Sequence, residues 1–108
     1  MTKVMIDPGV CGLVTSVEAQ ADEEMEEVKV TVKSGCESIR NMMAELGDTF
    51  DPFEVCLQKP GCGPFFEYAK VHFPVHAGCA VLGGIIKCME AECGLALKKD
   101  VSIRFLAD

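Results

Sequence analysis

Two alternating runs on either side of an acidic stretch constrain this chain most. Leu13, Thr15, Val17 and Ala19 fall on one side of an extended backbone, with Ser16, Glu18 and Gln20 on the other. After Asp22-Glu23-Glu24-Met25-Glu26-Glu27, Val28, Val30 and Val32 alternate with Lys29, Thr31 and Lys33. A period of two belongs to a half-buried strand, and two such runs joined by a short charged segment predict a hairpin. The acidic run itself reads as a solvated loop. Adjacent carboxylates without the alternating Asp/Asn and glycine of a calcium loop seldom converge on one ion.

Beyond Ser34-Gly35 the period changes. Ile39, Met42, Met43 and Leu46 recur at helical spacing, predicting a helix that begins at Cys36 and is stopped by Gly47, with both methionines as core filler. Asp51-Pro52 has the form of an N-cap followed by proline at the first helical position, so a short helix is expected through Phe53 to Leu57. Lys59-Pro60-Gly61-Cys62-Gly63-Pro64 must be loop, and it lacks the spacing of a phosphate-binding glycine motif. A further helix is expected from about Cys79 to Cys93, buried through Val81, Leu82, Ile85, Ile86 and Met89 and ended by Gly94. Gly83-Gly84 within it would weaken a solitary helix by roughly 1 kcal/mol per glycine, so close packing against a neighbour is the expected reason for the pair. Val101-Ser102-Ile103-Arg104-Phe105 alternates and predicts a terminal strand. Together these elements predict an α+β fold, a small antiparallel sheet with helices packed on one face, in a single domain spanning 1–108.

Charge and cysteine usage narrow the function classes. A net charge of −7 argues against a nucleic-acid surface. The chain lacks the roughly 18 consecutive apolar residues of a membrane span and has no export signal, so a cytoplasmic location is expected. Seven cysteines without such a signal are free thiols, metal ligands or redox groups rather than a disulfide framework. No pair has C-x-x-C spacing, so any metal site must gather ligands from distant segments.

Three of the cysteines stand beside a glycine where an element opens. Cys11-Gly12 opens a strand-like run, Gly35-Cys36 lies where a strand gives way to a helix, and Gly78-Cys79 opens the helix that runs to Cys93. Thiolates at helix N-termini are stabilised by the helix dipole and free N–H groups, and an adjacent glycine lets backbone approach a ligand. With Pro74-Val75-His76-Ala77 before Gly78-Cys79, and with 25 and 43 positions separating the three cysteines, the order and spacing resemble the U-type iron–sulfur cluster scaffold proteins, the NifU/IscU family. The resemblance departs at Leu13, where that family has Asp, and at Gly78, where it has His; Phe73-Pro74-Val75-His76 echoes its chaperone-binding stretch only in part.

The resemblance implies a NifU/IscU-like fold, here with an extra C-terminal strand, and a protein that binds an iron–sulfur cluster, or a zinc ion, in cluster assembly or storage. Cys11, Cys36 and Cys79 would be the ligands, with a cluster or sulfur donor or acceptor protein as partner. Their sulfurs would then share one small region near one end of the sheet. His76, Cys62 and Cys56 compete as fourth ligand, because imidazole and thiolate both suit zinc and iron. His72, flanked by Val71 and Phe73, reads as a strand or loop histidine. A second reading is a thiol enzyme or sulfur carrier using Cys36 or Cys79 as nucleophile or persulfide acceptor. A third is a structural or interaction module whose cysteines are core.

Overall fold

Alternation at the start of the chain supplies a strand that pattern reading passed over. The computed structural model describes residues 1–108. It forms a four-stranded antiparallel sheet in the order β1-β2-β3-β4, built from β1 (Thr2–Ile6), β2 (Thr15–Ala21), β3 (Val28–Ser34) and β4 (Thr49–Phe50). The β2–β3 hairpin is as expected. Its register pairs Thr15 with Ser34, Val17 with Val32, Ala19 with Val30 and Ala21 with Val28. β1 pairs with β2 on the other side, bringing Ile6 opposite Thr15 and Thr2 opposite Ala19.

Because side chains alternate across a strand, this register collects Thr15, Val17, Ala19, Val28 and Val30 on one face, where all are buried. Lys29, Thr31 and Lys33 leave the opposite face to solvent, together with Lys3 and Met5. Helices cover only the first face. They are α1 (Glu37–Leu46), α2 (Pro52–Cys56), α3 (Pro64–His72) and α4 (Val81–Glu92). Ile39 and Met42 of α1, Phe65 of α3, and Val81, Ile85, Cys88 and Met89 of α4 join the strand residues in one core cluster. The sheet with helices on one face is the architecture predicted from the pattern.

Local chemistry fixes the helix ends. Asp51 caps α2, its Oδ1 accepting the Phe53 N–H at 2.9 Å, and Pro52 fills the first helical position as expected. Gly94, at φ +71°, turns the chain out of α4. Its N–H donates to the Ala91 carbonyl and the Leu95 N–H to the Glu90 carbonyl, the paired bonds of a Schellman ending.

α4 is seated on β1 and β2 at both ends. Near its start, a Cβ added to Gly84 would lie 2.7 Å from Ile6 Cγ1 and closer still to Cδ1, so only glycine admits this approach, whereas Gly83 has open space. Near its end, Glu92 accepts the Thr2 hydroxyl at 2.8 Å and the Ala21 N–H at 2.9 Å. Buried Cys88 between them donates its thiol to the Thr2 carbonyl at 3.3 Å.

Two expectations fail. Val101–Phe105 is not a strand: residues 97–108 carry no regular structure, and Val101, Ile103, Phe105 and Leu106 are exposed. Alternation provides the propensity, but a strand exists only where a neighbouring strand accepts and donates its backbone hydrogen bonds, and none lies beside this segment. His72 is neither strand nor loop. It closes α3 and stacks on Tyr68 four residues earlier, ring centroids 4.3 Å apart.

Candidate functional site at one end of the sheet

The topology carries the three Cys-Gly corners to the same end of the sheet. Cys11 lies in the 7–14 loop that joins Ile6 to Thr15. Cys36 follows Ser34, the residue paired with Thr15. Cys79 stands two residues before α4, whose early Gly84 rests on Ile6 and whose Glu92 reaches Thr2 and Ala21 at the opposite end. Three segments far apart in sequence therefore present a thiol at one edge of the fold.

The Cys36 corner is held firmly. Thr15 and Ser34 share a hydroxyl–hydroxyl hydrogen bond of 2.6 Å, and Ser34 Oγ also accepts the Cys36 N–H at 3.1 Å. Cys36 occupies the N-cap of α1, but no side chain caps the helix, so its first-turn N–H groups face the corner without a side-chain partner. Leu13 folds over Gly35: a Cβ there would meet the Leu13 side chain at 3.4 Å. Leu13 thus lies against the corner while itself 41% exposed. The rest of the 7–14 loop turns through Gly9 and Gly12, both at positive φ, with the Gly9 N–H on Asp7 Oδ1 at 2.9 Å and the Gly12 N–H on the Gly9 carbonyl at 3.0 Å, and leaves Cys11 exposed.

Cys79 is half-buried, like Cys36, and both lean on the core. Its N–H donates to the His76 carbonyl at 3.1 Å, so the 73–80 segment makes a turn just before it. Cys79 does not itself open α4; Ala80 is the N-cap. His76 and Val75 are exposed in this turn.

Nowhere in the chain do three His, Cys, Asp or Glu side chains form a group able to hold a metal ion. The residues as placed therefore do not fit a cluster or zinc ion bound by Cys11, Cys36 and Cys79. Of the candidate fourth ligands, His76 lies in the turn before Cys79, and Cys62 is fixed in the turn between α2 and α3, its N–H on the Lys59 carbonyl at 3.0 Å. Cys56 belongs to the opposite end of the sheet, because β4 pairs with Val28 and Lys29 beside the acidic hairpin and leads directly into α2.

At that opposite end the thiols are subdued. Burial pushes the Cys56 thiol up to about 12, with the Glu90 carboxylate and Cys93 adding to the effect. Burial likewise raises Cys93, helped by Glu92 and Asp22. Cys88 is raised by burial despite an opposing hydrogen bond from the Ala19 backbone. A thiol that resists ionisation is a poor nucleophile, so these three read as packing groups. A concavity of about 440 Å³ opens nearby, lined by Glu26, Glu27, Thr49, Phe50, Asp51 and Phe53, and none of the cysteines lines it. Sequence reading assigned no role to the acidic run that supplies two of its walls.

No curated protein and no solved structure matches the chain. The family model that does match contradicts the U-type scaffold resemblance, since it describes a different family. The resemblance rested on short Cys-Gly corners, and a small thiol beside a turn glycine suits a strand–helix junction in many folds. Across residues 2–105, the chain belongs to a family of unknown function, DUF6951.

Proposed function

We propose that this chain binds a thiophilic ligand at the end of the sheet that carries Cys11, Cys36 and Cys79, acting as a carrier rather than a catalyst. The observation that carries the reading is the arrival of three thiols from three distant segments at one edge. A sulfane sulfur suits the placement best because it needs one thiol, whereas a zinc ion or iron–sulfur cluster needs three or four converging ligands. Metal binding would require the 7–14 loop to close on the corner. The reading sets the protein in the cytosol, where thiols are kept reduced, with a sulfur donor or acceptor protein as its partner.

In sulfur transfer the thiolate of Cys36 or Cys79 attacks the outer sulfur of a donor persulfide. The donor's S–S bond breaks, the donor leaves as a thiol after taking up the proton released by the cysteine, and the carrier keeps a persulfide. Ser34 fixes the backbone at Cys36.

The test incubates reduced protein with glutathione persulfide without oxygen, removes excess donor, and maps retained sulfur by mass spectrometry. Retention on Cys36 or Cys79, lost in the matching Cys36→Ser or Cys79→Ser variant, is the expected result. Sulfur spread over the cysteines in proportion to exposure, led by Cys11, would contradict it.

A further inference from the structure

The sheet ends in an open edge, and the same chain carries an unpaired segment made to fill one. β1 is the outermost strand, with β2 on one side and nothing on the other. Of its inward-facing residues Thr2 is buried but Val4 and Ile6 remain half-buried, whereas on the inner strands Val17, Ala19, Val28 and Val30 are fully buried and only Val32 is half-buried. The edge therefore lacks cover that the inner strands possess. An open edge of this kind is a template for another strand.

Val101-Ser102-Ile103-Arg104-Phe105 matches β1 in length, five residues each. It places Val101, Ile103 and Phe105 on one side and Ser102 and Arg104 on the other, the pattern a fifth strand needs beside Thr2, Val4 and Ile6. Yet Ile103 is 83% exposed and Phe105 wholly so. The molecule is drawn out to 48 × 29 × 25 Å. Charge favours docking on this same protein. Residues 97–108 carry Lys98, Lys99 and Arg104 against Asp100 and Asp108, while the whole chain has a net charge of −7 and β1 itself carries only Lys3. A slightly cationic segment whose apolar side chains stand in solvent and an acidic body with an open edge are complementary, and every copy brings both.

We propose that two copies of this chain exchange their 101–105 segments, each adding a fifth strand to the β1 edge of the other. Val101, Ile103 and Phe105 of one copy extend the helix-covered face of the second, covering its Val4 and Ile6. Backbone hydrogen bonds close both sheet edges, and the two contacts are equivalent by a two-fold axis.

The test measures the molar mass of the full chain by sedimentation across a concentration series, for wild type, Ile103→Asp and Phe105→Asp. Both side chains are exposed in the single copy, so each variant keeps the wild-type circular dichroism. The dimer should weaken by at least about tenfold in either, the loss expected when one anchoring apolar side chain can no longer be buried. Isotope-filtered NMR on a mixture of differently labelled copies then reads the strand pairing. Cross-peaks between 101–105 of one copy and 2–6 of the other are expected. A monomer at every concentration, a dimer indifferent to both substitutions, or 101–105 contacting β1 of its own copy would each overturn the proposal.

Discussion

The glycine pair in α4 offers two substitutions of identical chemistry with opposite expected outcomes. Replacing either glycine by alanine favours the helix by roughly 1 kcal/mol, through propensity and a less flexible unfolded chain. At Gly83 nothing opposes this gain, since the new Cβ would meet no atom within 4 Å. At Gly84 the Cβ would lie 2.7 Å from Ile6 Cγ1 and nearer to Cδ1, inside contact distance. Relieving that overlap moves Ile6 or lifts α4 from β1, an overpacking cost of about 1–3 kcal/mol. Propensity cancels between the two variants, so their difference isolates the overpacking. Gly83→Ala should be stabilised by up to about 1 kcal/mol, and Gly84→Ala should fall about 1–3 kcal/mol below it in urea unfolding followed by circular dichroism. Ile6→Val supplies the control. It removes Cδ1, the nearer of the two atoms the new Cβ overlaps, and keeps Cγ1, so it should cost about 0.5–1.5 kcal/mol alone and narrow the gap between the alanine variants without closing it. Equal stabilities for Gly83→Ala and Gly84→Ala, or a gap untouched by Ile6→Val, would refute the seating of α4 on β1 and with it the placement of Cys79.

Glu92 should tie stability to acid pH. Burial alone would raise its carboxyl, but hydrogen bonds from the Ala21 N–H and the Thr2 hydroxyl, with the terminal ammonium, hold it below the usual range. Its contribution is therefore complete above the unfolded glutamate value of ~4.3 and is lost as pH falls through the lower folded value. Glu92→Gln should cost about 1–2 kcal/mol at neutral pH and progressively less in acid, measured by urea unfolding at each pH. Asp51→Ala removes the cap of α2 and should cost about 1 kcal/mol in the same assay. Iodoacetamide at neutral pH should label Cys56 and Cys88 last in native protein, with the order collapsing in denaturant; peptide mapping of the labelled sites checks it.

Strong periodicity made the hairpin and α1 legible. Val28, Val30 and Val32 alternate with charged or hydroxyl residues, and the spacing from Ile39 to Leu46 admits one helical face. β1 was missed because Met5 breaks the contrast: an apolar side chain, 76% exposed, stands where the pattern asks for a polar one. In α3 only Phe65 is fully buried, so no stripe announces the helix; the signal available was Pro64 after Gly63, the usual entry to a first turn. The 101–105 segment shows the converse failure, since alternation is a property of one segment and pairing a property of two. Of the cysteine corners, only their positions along the chain were legible. Local glycines and strand ends placed three thiols at one end of the sheet, but without a short chelating spacing nothing in the sequence sets the distance between their sulfurs.

The most direct test of the carrier reading is native mass spectrometry of untagged protein purified without oxygen, before and after treatment with a thiol reductant. The account predicts a population heavier by one sulfur atom that the reductant returns to the unmodified mass. A mass increment of zinc or of an iron–sulfur cluster, or no increment before or after exposure to a persulfide donor, would contradict it.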